Sequence, residues 1–288
     1  MRTLPDPQAR PERRPGAIRL GAVSYLNTGP LVDGLDLQPE RFEVRFDVPS
    51  RCATLLHEHQ VDLGLIPSIE YLQGADYRIV PGVAIVSDGP VASVALFSRK
   101  PVREITSIAL DVSSKTSVAL LKILCTRWFE IAPAFSPMAP DMTAMLQQND
   151  AALIIGDNAL FVDAERLGLE KVDLAEEWVG MTGLPFVFAF WAGRPGAAGP
   201  EDVAALNEAR DRGLANTERV AERYFPGDPA KVRRGAEYLR ENVKYDFGER
   251  EQAGLRMFYT LAAALGIVPA AGELRFYESQ RRDAVTQR

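Results

Sequence analysis

Apolar residues arrive along this chain in short runs separated by polar, helix-patterned text. IRLGAV (18–23), FEVRFDV (42–48), DLGLI (62–66), SIALDV (107–112), AALIIG (151–156) and FVFAFW (186–191) are mostly bounded by turn-forming or polar residues and read as strands. Between most of them lie segments such as SRCATLLHEHQ and TSVALLKILCTRWF, whose apolar positions recur at three and four and predict helices. The alternation predicts an α/β fold with mainly parallel, buried sheets. Beyond residue 191 the pattern turns helical over about 200–223, 229–243 and 248–266. In the first of these Val203, Leu206, Arg210, Leu214, Thr217, Ala221 and Tyr224 share one face.

A repeat of pattern, without identity, organises the chain. Strands end at Ser24 and at Pro67–Ser68 in the first half, and at Ser113 and Asp157 in the second. Forty-four positions separate Ser24 from Ser68, and forty-four separate Ser113 from Asp157. Two similar α/β lobes would give that spacing. RIVPGVAIVSDG and PVASVALFSRK suggest one crossing between lobes, and LPFVFAFWAGRPG suggests a second. Lobe I is therefore expected at about 17–97 plus 191–288, and lobe II at 98–190. Such a protein binds its ligand in the cleft between lobes, where strand ends converge.

Composition narrows the ligand class. The 288 residues are 47% hydrophobic and 25% charged, which is ordinary for a globular chain. A formal net charge of −6 argues against a general nucleic-acid binder. The two cysteines, Cys52 and Cys125, lie far apart without metal-ligand spacing and read as buried, reduced residues. Residues 1–16, MRTLPDPQARPERRPG, lack an apolar stretch and are expected to be a disordered tail of a cytoplasmic protein. No apolar run is long enough to span a membrane. Nothing in the sequence sets an oligomeric state.

Several strand ends carry polar candidates, each with a plainer alternative. Ser113, Ser114, Thr116 and Ser117 surround Lys115 at a strand-to-helix junction, where backbone N–H groups and hydroxyls suit a carboxylate; N-capping is the alternative. Ser68, beside a helix-starting Pro67, is a cleft donor or surface dressing. In IIGDNAL, Gly156 lets a ligand approach the backbone, while Asp157 either meets that ligand or caps a helix. His57 and His59 are two apart and fall on different helix faces, so a metal pair or dyad is not expected. The charged text from Glu201 to Arg256 reads as a solvated surface. Trp128, Phe129 and the alternating Phe186, Phe188 and Phe190 read as core, with Phe186 the exception that sits at a cleft crossing. No nucleophilic triad, zinc motif or dinucleotide fingerprint is visible.

RLGAVSYLNTGPLVDGL, DLGLIPSIEYL, ASVALFSRKPV, LDVSSKTSVALL, LIIGDNAL and LPFVFAFWA, running in order from residue 19 to 192, resemble the menaquinone-biosynthesis chorismate dehydratase family. The resemblance implies a two-lobed fold like the type II periplasmic binding proteins, adapted to a cytoplasmic enzyme of the futalosine route. It implies conversion of chorismate to 3-[(1-carboxyvinyl)oxy]benzoate and water, with no cofactor. A related enzyme of that route forms 1,4-dihydroxy-6-naphthoate and carries a motif like SPCPNDT where this chain has SYLNT, which favours the dehydratase.

By the same resemblance Asn27, Ser93 and Asp157 carry the chemistry, with Ser24, Ser68, Ser113, Ser114, Thr116 and Gly156 in contact with substrate. Asn27 and Ser93 would orient substrate oxygens, and Gly156 with Asp157 would hold the ring hydroxyl. The proton acceptor is left open between Asp157 and the substrate's own enolpyruvyl carboxylate. A non-catalytic receptor for an aromatic carboxylate, or the naphthoate-forming relative, are the alternatives.

Overall fold

The computed structural model describes residues 16–74 and 76–279. The tail expected at 1–16 lies outside them, apart from Gly16. Among the described residues ten strands form two five-stranded sheets. The first sheet has the order β2 (Phe42–Asp47), β1 (Ile18–Val23), β3 (Leu63–Pro67), β10 (Phe186–Gly193), β4 (Arg78–Ser87). The second has the order β7 (Ala134–Met138), β6 (Ser107–Asp111), β8 (Ala151–Ile155), β5 (Val94–Ser98), β9 (Glu170–Asp173). In each, four strands run the same way and the fourth in order, β10 or β5, runs against both its neighbours. The sheets are thus mixed rather than mainly parallel, because the fourth strand enters from the other half of the chain and runs opposite.

That pairing corrects the expected lobe boundaries. Residues 94–98 pair with β8 and β9 in the second sheet, whereas the boundary at 97/98 would leave nearly all of them in the first. Residues 186–193 pair with β3 and β4 in the first sheet, not with the segment ending at 190. The crossings therefore lie at about 88–93 and 183–185. A crossing strand is continuously apolar wherever it pairs, so composition alone could not place the switch.

The helices follow their apolar faces. α1 (Pro49–His57) buries Cys52, Ala53, Leu55 and Leu56 against β1 and β3. Each fully covered leucine is worth about 1.5–3 kcal/mol over its exposed state. α2 (Lys115–Arg127), α3 (Met142–Gln148), α4 (Asp157–Leu160) and α5 (Leu174–Thr182) belong with the second sheet. α6 (Pro200–Leu214), α7 (Thr217–Tyr224), α8 (Pro229–Glu241) and α9 (Glu249–Ala264) return to the first. The single helix expected over 200–223 is two, broken at Ala215–Asn216. There Gly213 packs so closely on Pro30 that a Cβ would lie 2.3 Å from its Cα, and the Asn216 amide bonds back to the Arg212 carbonyl. Trp178 of α5, Phe186 of β10 and Phe258 of α9 meet edge to face, with centroids 5.0–6.2 Å apart, and tie the two halves together behind the cleft.

Candidate active site

Strand ends from both sheets meet in a cavity of about 60 Å³. Its polar lining is Tyr25, Asn27, Ser93, Ser114, Thr116 and Ser117, with the Gly156 backbone; its apolar walls include Pro49, Pro67, Val91, Ile155 and Phe188. None of the lining residues is charged. Ligand pockets usually enclose about 300–1,000 Å³, so this cleft is drawn shut and must open to admit a ring with substituents.

β1 delivers the chain into a 3-10 turn, Leu26–Val32, and that turn carries Asn27. The Asn27 carbonyl accepts the Tyr245 hydroxyl at 2.9 Å, which fixes the backbone. Its Oδ1 is buried and has no hydrogen-bond partner among the described residues. Ser93 shares a 2.8 Å hydrogen bond with the buried Tyr238 hydroxyl, which also lies beside the Asn27 amide. Burial pushes the Tyr238 hydroxyl above the usual phenol range, so it stays protonated. Two phenols from the helical region thus brace the Ser93 side chain and the Asn27 backbone, the two residues expected to orient substrate.

Across the cleft α2 begins at Lys115 beside buried Ser114, Thr116 and Ser117. No acceptor among the described residues takes the first-turn N–H groups of residues 115–117. The Ser114 side chain makes no cap, so these donors and the helix dipole are presented to an anion. Gly156 has φ +64° and ψ −148°, a conformation nearly confined to glycine. The Tyr25 ring of the opposite lobe rests on it: a Cβ there would lie 2.9 Å from Tyr25 Cε2 and Cζ.

Four expected contacts are placed elsewhere. Ser68 is fully buried and donates to the Val187 carbonyl at 2.8 Å, stapling β3 to β10. Ser113 gives its hydroxyl and N–H to Asp111 Oδ1 at 2.6 and 2.8 Å. Ser24 is exposed, and its carbonyl accepts the Tyr224 hydroxyl. Asp157 is not among the cavity-lining residues: Oδ1 accepts the Leu26 N–H at 3.2 Å and Oδ2 the Tyr224 hydroxyl at 2.8 Å. Burial raises its carboxyl above the ordinary range, and those two hydrogen bonds offset only part of the effect. Asp157 is therefore a clasp between lobes in this geometry. Likewise Phe186 is core, and of the three phenylalanines of β10 it is Phe188 that reaches the cavity.

The hinge is pinned from the second sheet. Buried Asp173 accepts the N–H groups of Val91 and Ala92 at 3.1 and 2.6 Å and also those of Ala175 and Glu176, which start α5. Ala92 has φ +64°, and Lys171 Nζ donates to its carbonyl at 2.9 Å. Among the described residues no three His, Cys, Asp or Glu side chains converge, and no helix is long and apolar enough to cross a membrane.

Two sheets of the same order, crossed twice by the chain and enclosing a neutral polar cleft, define a two-lobed fold of the periplasmic-binding-protein type. It is shared with a protein from Archaeoglobus fulgidus (TM-score 0.73, 19% identity, covering 89% of this chain and 100% of that one). It is shared too with the periplasmic aliphatic sulphonate binding protein of Escherichia coli (TM-score 0.64, 17% identity, 95% and 100%). The chain belongs to the menaquinone biosynthesis family, whose model matches residues 18–264. It is 33% identical over 271 residues to the chorismate dehydratase of Thermus thermophilus, covering 86% of this chain and 95% of that protein. It is 30% identical over 175 residues to the chorismate dehydratase of Campylobacter jejuni, covering 59% and 64%.

Proposed function

We propose that this chain dehydrates chorismate to 3-[(1-carboxyvinyl)oxy]benzoate as a carbon–oxygen lyase of menaquinone biosynthesis, acting in the cytoplasm on the futalosine route. The likeness to the Thermus thermophilus enzyme across nearly the whole chain carries this reading, and the cleft suits it chemically. The hydrogen on C3 of chorismate is vinylogous to the ring carboxylate, so its removal leaves a delocalised carbanion. Departure of the C4 hydroxyl, as water once that proton is counted, then gives an aromatic ring. The protein has to hold two carboxylates, keep the enolpyruvyl ether in place and ease loss of hydroxide.

The start of α2, with Ser114, Thr116 and Ser117, receives one carboxylate. Asn27 Oδ1, an acceptor, takes the substrate's one O–H, the ring hydroxyl, while Ser93, braced by Tyr238, orients another substrate oxygen, and the Gly156 backbone lets the ring approach. With Asp157 spent on Leu26 and Tyr224, the enolpyruvyl carboxylate itself is the best-placed proton acceptor. Neutral hydrogen-bond donors leave that group more basic than a neighbouring cation would. Lobe closure keeps water from the carbanion.

The fold's kinship with a sulphonate-binding protein favours one second reading, a receptor that holds an aromatic carboxylate without turnover. Incubation with chorismate, followed by mass spectrometry, separates the two. Loss of water from chorismate supports the lyase, and binding without loss supports the receptor. Conversion of cyclic de-hypoxanthine futalosine with chorismate untouched would instead identify the naphthoate-forming relative.

A further inference from the structure

Lys115 is oddly placed. It is the first residue of α2, where a cation works against the helix dipole by about 0.3–1 kcal/mol, and it lies between the cavity-lining Ser114 and Thr116. Its ammonium is nevertheless not part of the cavity wall. Glu70, from the 3-10 turn Ser68–Gln73 that follows β3 in the opposite lobe, accepts it at 2.9 Å. The Glu70 side chain is only 1% exposed. It also accepts Gln73 Nε2 at 2.8 Å and stands 3.4 Å from His57 Nε2, whose Nδ1 meets the Tyr77 hydroxyl at 2.8 Å. Burial alone would raise the Glu70 carboxyl, but its contacts with His57 and Lys115 outweigh that and hold it below the usual carboxylate range. One residue earlier, the Ile69 N–H donates to Thr116 Oγ1 at 3.2 Å. Consecutive residues of one lobe therefore grip consecutive residues of the other, and both links form only when the lobes meet.

We propose that Glu70 is a positioning residue that takes the Lys115 ammonium out of the cleft on closure, so that chorismate is captured by a cationic helix start but reacts among neutral donors. With the lobes apart, Lys115 is a free cation at the mouth of an anion site. With the lobes together, it is neutralised against a buried carboxylate that, among the described residues, nothing else on the α2 side pairs. A cation left beside the substrate would hold ground state and transition state alike and would lower the basicity of the carboxylate that accepts the proton. This inference rests on the chorismate reading above.

The test uses the full chain with chorismate, measuring kcat, KM and binding over a range of ionic strength. Lys115→Met is expected to lower kcat/KM about threefold to tenfold at low salt, with the gap closing as screening shortens the Debye length, while kcat holds within about twofold. Glu70→Gln is expected to lower kcat at least about fivefold with KM unchanged or lower, and adding Lys115→Met is expected to restore most of that kcat. A wild-type salt slope in Lys115→Met overturns the proposal, as does a double variant as slow as Glu70→Gln. If Glu70→Gln does not fold, the salt slope of Lys115→Met decides alone. If the wild-type chain binds chorismate without turnover, the lyase reading fails while the salt slope of binding still decides the capture half, and absence of binding overturns both.

Discussion

Gly156→Ala separates two penalties that the structure superimposes at one atom. The first is local. At φ +64° and ψ −148° an alanine is held in a region nearly closed to L residues, which costs about 1–3 kcal/mol wherever the lobes stand. The second spans the cleft, since the new Cβ would lie 2.9–3.0 Å from three atoms of the Tyr25 ring. Overpacking of that kind costs about 1–3 kcal/mol, but opening the lobes relieves it. Urea unfolding should therefore report mainly the backbone term, a loss of about 1–3 kcal/mol. Steady-state turnover of chorismate should report the contact, because each 1.4 kcal/mol against closure lowers kcat/KM about tenfold. Replacing the ring in the same chain, Gly156→Ala with Tyr25→Leu, should recover closure in small-angle scattering with a ligand while leaving the stability deficit. A single Gly156→Ala variant within about 0.5 kcal/mol of wild type and equally active would refute the reasoning.

Burial raises the Asp157 carboxyl in the folded chain, so the stability it contributes is full below the unfolded carboxylate range and is lost as pH rises through the folded value. Asp157→Asn should accordingly gain stability near about pH 7 but not near about pH 3, by urea titration at each; an equal gain at both would disprove the sign. Asp173→Ala strips the acceptor from four backbone N–H groups at the hinge and the start of α5, at a cost of about 2–4 kcal/mol in thermal or urea unfolding. A cost under about 0.5 kcal/mol would mean those donors have other partners. Asn27→Ala should lower kcat/KM on the order of 100-fold with the far-ultraviolet dichroism unchanged, and a loss under about threefold would remove Asn27 from the substrate.

Much of the fold was legible because period and punctuation agree: all six expected strands are present, five of them shifted by a residue or two at their ends. The forty-four-residue repeat corresponds to β1 with β3 and β6 with β8, central strands of like sheets. The crossings were misplaced because β5 and β10 are apolar whichever sheet holds them. Within the cleft, Asn27, Ser93, Ser114, Thr116 and Gly156 line the cavity, which places them there without assigning them a role. Ser68 and Ser113 do not, because a hydroxyl at a strand end meets a carbonyl or carboxylate of the protein equally well. Tyr25 lies in the SYLN motif, but nothing local to the sequence marks it as the ring that rests on Gly156. Tyr238 and Tyr245 lie in charged helical text some two hundred residues from Asn27, with no local signal that they buttress a site. The Glu70–Lys115 pair was hidden for the same reason.

The two strands that change sheets also constrain how the chain is made. On a ribosome the first sheet lacks its fourth strand until residue 193 has emerged, by which time all five strands of the second have been synthesised. Nascent β3 and β4 therefore wait as unpaired edges, the kind of template that invites wrong partners. The second sheet, encoded without interruption between residues 94 and 173, is free to assemble first and hand over β10 as the closing piece.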